Sequence, residues 1–575
     1  MKSVLSIVKK KLSRIFGDKG MDLTVLEKRV IEEPSLVVEE LQNSEKLDIK
    51  VERLFARACV RAGKNKALIL RLKGKQSHHS DPILLNFYVR ALQAENDWEE
   101  IAQINSSLMV VNKNNALTLM KACLKTGRYD GISEVSQEFE FEGDDKVRAA
   151  FILFQALVKQ QMHNEAMSII PQFENTENEN IFKWHQLTVK ELKELRPADN
   201  DWVAFSLARL WFKKRQYISV ISVLKPFIGK QFSSSLIKNY IFRYYGESLC
   251  NVLSRPALIS ELTVTVDAAK QHDDLNSFVS LYTGQLNHLN GHFREAVSYF
   301  NKSNESDYSL PSDKGAITVR SPEHIEKMLI AKKEKVIFDE ANVIADCPMT
   351  TVVASDSKYF LLFFDIYQKS FKARNSGYQL HFHIVNPSEA VKVEIDKYRK
   401  TAGDINFSYS TAENSTNIKA LYASIRFLIV GELLQYYNSP ILITDIDVGF
   451  SGNLADLKFE EDSADIALKI RDESNLFPWR VIPANTTVFN NTEGAMQFIQ
   501  YFSNYFYSIY GDGEGSNIWW IDQSALYSLY SYFKEKKGSV VFSNLYESYD
   551  IDSLLLFHQP FETKQEFINR VFNEK

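Results

Sequence analysis

The residues best suited to chemistry in this sequence are two aspartates one position apart, Asp445 and Asp447, directly after the apolar run Ile441-Leu442-Ile443-Thr444. A short apolar run of this kind, opened by Pro440, reads as a buried strand. Two carboxylates at i and i+2 on an extended segment point to one side and converge on one hard divalent cation. Such a cation binds phosphate oxygens and stabilises the charge that develops on a phosphorylated leaving group. The alternative is a strand-end loop with two solvated acids. Position favours the cation, because ligands of open α/β sheets bind outside the carboxyl ends of the strands.

The elements that must position this pair are legible from Met349 onward. Met349–Ala354 predicts a buried strand, Ser355-Asp356-Ser357 a turn, and Tyr359–Phe371 a helix. His381–Val385 and Ile405–Tyr409 predict two further strands, and Ile418–Tyr436 one long helix before the strand Pro440–Thr444. Strands alternating with helices imply a mostly parallel sheet in an α/β, Rossmann-like domain.

The segment Ile441 to Leu454, ILITDIDVGFSGNL, resembles the metal-binding strand of the GT-A fold glycosyltransferases, above all glycosyltransferase family 8, in which an Asp-x-Asp is followed by small residues and a Gly-Asp/Asn-Leu turn. Further matches follow in the order of that family. Tyr422–Leu434 resembles the helix with the donor-contacting arginine, here Arg426, and Ala354-Ser355-Asp356 the nucleoside-binding turn. Ala484–Asn491 is similar to the strand near the sugar, and Asp522-Gln523-Ser524 to an Asp-Gln-Asp helix start. His558 and Lys564 keep the spacing of a terminal His…Lys element. The resemblance covers roughly the last 225 residues, and it is the ordered set that carries it.

The resemblance implies metal-dependent transfer of a hexose from a nucleotide-diphosphate sugar, a UDP-sugar, with retention of configuration. It makes Asp445, Asp447 and His558 ligands for Mn²⁺ or Mg²⁺. Lys564 and Arg426 then offset diphosphate charge, one as a point charge and the other as a planar fork. Ser355 and Asp356 contact the nucleoside, and Asn485 lies near the sugar. Asp522 binds sugar hydroxyls, with Gln523 at the reacting face. The alternative for His558 is an ordinary loop histidine, and for Asp522 a helix N-cap, which its position before a helical run would explain by itself. There are departures. Phe561 and Thr487 stand where the family has glycine, and Gln565-Glu566 where it has Pro-Trp, which bears on the donor-closing loop and the sugar. Two aromatic segments, Gly511–Gly515 with Trp519-Trp520 and Phe477-Pro478-Trp479, read either as a lid with a sugar-stacking face or as ordinary loop and core.

Residues Leu23 to Asn304 lack strand alternation and follow helical periodicity. Gly284, Gly291, Ala296 and Phe300 fall at the spacings of a tetratricopeptide helix-turn-helix, and Ala208, Trp211, Tyr217, Val220 and Leu224 form a looser unit. Further turns are expected near Gly63, Asn96, Gly127 and Gln161, roughly one ~34-residue repeat apart. This region resembles a degenerate tetratricopeptide array, whose pairs must stack to bury their faces and whose surfaces bind protein partners; an irregular helical domain is the alternative. Residues 306–348 read as a linker with a charged bridging helix over Glu323–Glu340.

Met1 to Gly20 segregates Val4, Leu5, Val8, Leu12, Ile15 and Phe16 from Lys2, Lys9, Lys10 and Arg14. Such a basic amphipathic helix suits an anionic membrane surface as well as a protein face. It is too short to span a membrane and lacks a cleavage site, so the sequon-like Asn105 and Asn485 are chance matches. Four dispersed cysteines exclude a disulfide framework and fit a reducing, cytoplasmic setting at the inner membrane face. A net charge of −5 argues against a nucleic-acid binder.

The expectation is thus a multidomain chain with four parts. Residues 1–20 form a basic helix, 21–305 a tetratricopeptide-like α-helical region, 306–348 a linker, and 349–575 a GT-A transferase domain. The acceptor is a glycan, a lipid-linked glycan or a protein. Two other classes compete. One is a non-catalytic helical-repeat scaffold with a degenerate transferase domain. The other is a nucleotidyltransferase, which would need a Gly-rich phosphate loop where Ser355-Asp356-Ser357-Lys358 stands.

Overall fold

The computed structural model describes residues 23–44, 47–73, 81–104, 113–172, 187–303, 311–328, 336–339, 343–344, 346–402, 404–413, 417–457, 464–471, 475–512, 518–536, 538–548, 551–559 and 562–573. The amphipathic segment 1–20, Asn105, Gly513 to Gly515 and Phe561 lie outside them. Packing divides the chain into two compact units, Met1–Lys213 with Gln231–Lys238, and Lys214–Lys230 with Asn239–Lys575. Among the described residues no helix is long and apolar enough to cross a membrane.

The first unit is built of helix pairs. Ile49–Arg61 pairs with Asn65–Leu72, Pro82–Ala94 with Trp98–Ala102, Lys113–Thr126 with Tyr129–Glu138, and Gly143–Lys159 with His163–Ile169. Each pair reverses through one left-handed residue, Gly63 (φ 66°), Asn96 (58°), Gly127 (77°) and Gln161 (63°), the four turn positions expected from the sequence. One residue at positive φ ends a helix and lets the next fold back. Alanine and cysteine on the facing sides, such as Ala56, Ala58, Cys59 and Ala122, are buried, so neighbouring helices approach closely. The second unit contains the pair Asn276–Leu289 and Phe293–Lys302, with Gly291 at φ 81° in its turn and Gly284 against the ring of Phe300.

The rest of the second unit is a three-layer α/β assembly. Its strands in chain order are β1 (Ile337–Phe338), β2 (Thr350–Asp356), β3 (Gln379–Val385), β4 (Asn406–Ser410) and β5 (Ile441–Thr444). Then come β6 (Val448–Phe450), β7 (Ile466–Leu468), β8 (Thr486–Phe489), β9 (Phe542–Asn544) and β10 (Leu555–Phe557). Eight form one sheet in the order β1-β4-β3-β2-β5-β8-β7-β9, while β6 and β10 make a separate antiparallel ribbon. The expected mostly parallel sheet is therefore a mixed one. β4, β3, β2 and β5 are parallel, and β8 runs antiparallel to both β5 and β7.

Alternation along the strands feeds two cores. Val352, Ala354, Ile441 and Ile443 pack against the helices Ile418–Leu428, Glu493–Asp512 and Ile521–Glu535. Val353, Phe382, Phe407 and Leu442 pack on the other face against Ser357–Arg374, Glu389–Thr401 and Lys564–Asn573. With both faces covered, the strands read as continuous apolar runs. Two local expectations need correction. The helix expected over Ile418–Tyr436 is broken at Ile429 into Ile418–Leu428 and Val430–Tyr437. Of the bridging helix expected over Glu323–Glu340, the described residues form a helix at Pro322–Glu326, and Ile337–Phe338 is instead an edge strand, because pairing with Tyr409 and Ser408 of β4 satisfies its backbone; residues 329–335 lie outside the described residues.

One polar network lies inside this apolar frame. His381 bonds Tyr437 Oη (2.6 Å) and Ser408 Oγ (2.7 Å), and His383 bonds Ser408 Oγ (2.8 Å) and Ser410 Oγ (2.9 Å). Burial pushes both imidazoles down to about 3. The unfolded chain takes up these protons near pH ~6.5 and the folded chain only near the depressed value, so protonation favours unfolding between the two. The stability from the neutral pair is full above about pH 6.5 and falls by roughly 1.4 kcal/mol per histidine per pH unit below it. Urea unfolding at pH 7, 6 and 5 is expected to give steadily lower midpoints, with a shallower fall in His381→Asn/His383→Asn. A midpoint independent of pH over this range would contradict the assignment.

Candidate active site

Because β3 and β4 lie to one side of β2 and β5 to the other, the strand order reverses between β2 and β5. The carboxyl ends of these two strands therefore open the crevice where α/β sheets bind ligands. Asp356 ends β2, and Asp445 is the first residue after β5. Thr444, at the end of β5, is hydrogen-bonded to Tyr367 on the helix beneath. Pairing of Thr444 with Thr486 brings Asn485 to the same end, where its carbonyl accepts from the Asp445 amide at 3.3 Å.

Arg426 projects from the Ile418–Leu428 helix into this end of the sheet and is 6% exposed. Nη1 donates to the Asp445 carboxylate, and Nη2 donates to the Ala484 carbonyl at 3.0 Å and lies 3.7 Å from Asp522 Oδ2. Asp522 is also buried, two positions past the cap residue Trp520 of the Ile521–Glu535 helix, so it is a first-turn residue and not the N-cap. The guanidinium thus joins two carboxylates that are 77 residues apart in sequence.

Asp447 and His558 are brought together by the ribbon. β6 starts one residue after Asp447 and β10 ends one residue before His558, with Val448 opposite Phe557. The His558 amide then donates to the Asp447 carbonyl at 3.0 Å, and the imidazole packs edge-on against Phe363 and Phe567. The small residue at 449 has a steric cause. A Cβ on Gly449 would lie 2.6 Å from Val571 of the terminal helix, so a larger side chain lifts that helix from the ribbon. Gly449→Val is expected to cost about 1–3 kcal/mol, as for overpacked cores, checked by urea unfolding against wild type.

The site is electrostatically tense. Burial, followed by the adjacent Asp445, pushes the Asp447 carboxyl up to about 6. Burial likewise pushes Asp522 up to about 6, although Arg426 opposes it. Among the described residues no group of three or more His, Cys, Asp or Glu side chains is gathered at metal-binding spacing, and the Asp445 carboxylate is turned to Arg426. The donor set still fits a hard divalent cation: two carboxylates that repel each other in a buried setting, with an imidazole one backbone hydrogen bond away. Ser355 Oγ, Asn485 Oδ1 and Arg426 Nε are buried there without a hydrogen-bond partner. Buried polar atoms of this kind call for a ligand or water.

The remaining expected residues are placed as follows. Asp356 caps the Ser357–Arg374 helix by accepting from the Tyr359 amide at 2.8 Å. Gln523 is half-buried beside Asp522, and Lys564 is exposed at the start of the terminal helix. Phe477 and Trp479 are core residues, stacked on each other at 4.8 Å and edge-on to Phe300, and Trp519 is 49% exposed. Sequence reasoning missed two parts of the site. The Arg426–Asp522 pair was signalled only by an arginine on the apolar side of a helix. The Thr563–Glu566 capping box, with Thr563 N donating to Glu566 at 2.7 Å, matches a signature that precedes helices.

No protein-family model matches the chain, and comparison with curated proteins found no match. Among solved structures it aligns with the bifunctional glycosyltransferase WbbM in apo form, at 11% identity and TM-score 0.24, over 34% of this chain and 39% of that one. It also aligns with the apo form of the glycosyltransferase GlyE of Streptococcus pneumoniae TIGR4, at 14% identity and TM-score 0.25, over 40% and 64%. A third is mouse xyloside xylosyltransferase 1 in apo form, at 12% identity and TM-score 0.24, over 34% and 84%. The chain spans less than two thirds of the length of the first two. At these scores the likeness carries no weight of its own, and the chemistry must be read from the residues.

Proposed function

We propose that this chain is a metal-dependent, retaining glycosyltransferase of the GT-A type that transfers a hexose from a UDP-sugar to a glycan, lipid-linked or protein acceptor. One observation carries the reading. Four separate segments supply Asp445 with Asp447, Arg426, Asp522 and His558 around the end of β5, beside the reversal of strand order. Asp445, Asp447 and His558 would hold Mn²⁺ or Mg²⁺, whose chemistry is Lewis acidity towards a diphosphate leaving group.

The protein's own residues do the rest. Ser355 and Asp356 bind the nucleoside at the end of β2. Arg426 is shared between Asp445 and Asp522 in this structure and would bind the diphosphate once Asp445 served as a metal ligand, while Lys564 would screen the phosphates from the solvent side. Asp522 orients sugar hydroxyls, with Asn485 beside them and Gln523 at the reacting face. The helical pairs form a tetratricopeptide-like region that carries a protein partner or acceptor, and residues 1–20 a basic segment whose composition suits the inner membrane face.

The Arg426–Asp445 pair also favours a second reading, a scaffold whose metal carboxylate is permanently satisfied by arginine. Hydrolysis of a panel of nucleotide sugars with Mn²⁺, Mg²⁺ or EDTA separates the two. Slow, metal-dependent release of nucleoside diphosphate from one donor supports the transferase. No turnover together with no metal-dependent donor binding by calorimetry leaves the scaffold.

A further inference from the structure

Within the second unit, an open cleft of about 380 Å³ lies between the turn of the helical hairpin at Gly291 and the α/β domain. We infer that this cleft is the acceptor subsite, and that it takes a saccharide bearing an anionic group, a carboxylate or a phosphate; this rests on the transferase reading above. Its volume suits a small ligand.

The lining has the chemistry of such a ligand. Arg255, Arg471 and Lys534 bring three cations, while among the described lining residues the one carboxylate, Glu535, lies 3.5 Å from Arg294. Tyr527 and Tyr530 offer aromatic faces for sugar C–H surfaces and hydroxyls for sugar oxygens. Tyr530 Oη already accepts from Lys534 Nζ at 2.9 Å, and Tyr527 Oη lies 3.4 Å from His288 Nδ1, so both rings are held in place. Guanidinium groups bind carboxylate and phosphate through paired hydrogen bonds. A neutral sugar site has no use for three cations around one opening.

Topology connects the cleft to the candidate active site. β7 runs parallel to β5 through β8, with Ile441 and Ile466 both opposite Phe489, so Ile470 and Arg471 leave the sheet at the end where Asp445 stands. Tyr527 and Tyr530 lie on the helix that begins beside Asp522, five and eight residues on, which is roughly 7–12 Å along a helix axis. Val481 precedes Ala484, the residue that accepts from Arg426. A chain of a few sugars held in the cleft can therefore present its end to Asp522.

The test uses the full chain and four probes: a glucuronic acid-containing disaccharide, a sugar phosphate, maltose and inorganic phosphate. Binding is measured by saturation-transfer NMR and calorimetry to wild type and to Arg471→Ala/Lys534→Ala, both exposed positions. UDP with Mn²⁺ is titrated into the same samples. One anionic saccharide is expected to bind wild type, and to bind the double variant at least about tenfold more weakly, the size of one charged hydrogen bond. UDP binding should be unchanged in the variant.

Preference for the glucuronosyl probe identifies a carboxylate acceptor, and preference for the sugar phosphate a phosphorylated one. Binding of maltose as tight as that of the anionic probes, binding of inorganic phosphate alone, or no saccharide binding at all overturns the inference. If UDP binds and the saccharides do not, the subsite fails while the donor site stands. If the anionic saccharide binds and UDP does not, it is the transferase reading that fails.

Discussion

Asp447→Ala is expected to reduce metal-dependent release of nucleoside diphosphate on the order of a thousandfold. A divalent cation contributes several kcal/mol of charge stabilisation to such a leaving group, and each ~1.4 kcal/mol is tenfold in rate. The fold should survive. Asp447 lies in the short link between β5 and β6, and its backbone carbonyl, not its side chain, holds His558. Removing the carboxylate also relieves its repulsion with Asp445, which helps to raise the Asp447 pKa. The variant should therefore unfold at the same or a higher urea concentration than wild type while losing both turnover and metal-dependent donor binding. Undiminished metal-dependent turnover in Asp447→Ala would remove this residue from the metal site.

Arg426→Met is expected to cost about 3–5 kcal/mol of stability, the range for breaking a buried ion pair by deleting one partner. Both Arg426 and Asp522 are buried, and the guanidinium opposes the burial that raises the Asp522 pKa. Without it, Asp522 must remain protonated to stay inside. A carboxyl with a raised folded pKa is a group on which the folded state keeps a proton that the unfolded state has released. Its penalty is thus absent below the unfolded pKa, near ~3.9, and grows as pH rises through the folded value. The variant should regain stability on going from about pH 7 to pH 5, against the trend set by His381 and His383. Adding Asp522→Asn should restore much of the loss at pH 7, because a neutral amide carries no charge to bury. Urea unfolding of the single and double variants at both pH values measures each term. Equal stability of Arg426→Met and wild type at pH 7 would mean that solvent, not arginine, compensates Asp522.

Local pattern made much of this molecule legible. The apolar run before Asp445 specifies a buried strand because its residues are covered on both faces, and the left-handed turns at Gly63, Asn96, Gly127 and Gln161 coincide with the breaks in helical periodicity. These signals are local, since they depend on backbone preferences and on burial within a dozen residues. The edge strand Ile337–Phe338 was hidden, because it falls inside a charged stretch that reads as helical. The antiparallel entry of β8 was likewise hidden, because a short Thr-Thr-Val-Phe segment fits either direction.

The Asp445-Ile446-Asp447 spacing and the types of His558, Asp522 and Arg426 were set by the sequence alone. Their company was decided by the tertiary structure. Only sheet order places the end of β5 beside the end of β2. Only the β6–β10 ribbon carries His558 to Asp447, and only the burial of a helix face turns Arg426 towards Asp445 and Asp522. The physical reason is that a residue's type fixes what it can bond, whereas its partner is fixed by which long-range strand pairings and helix dockings bury the most apolar surface.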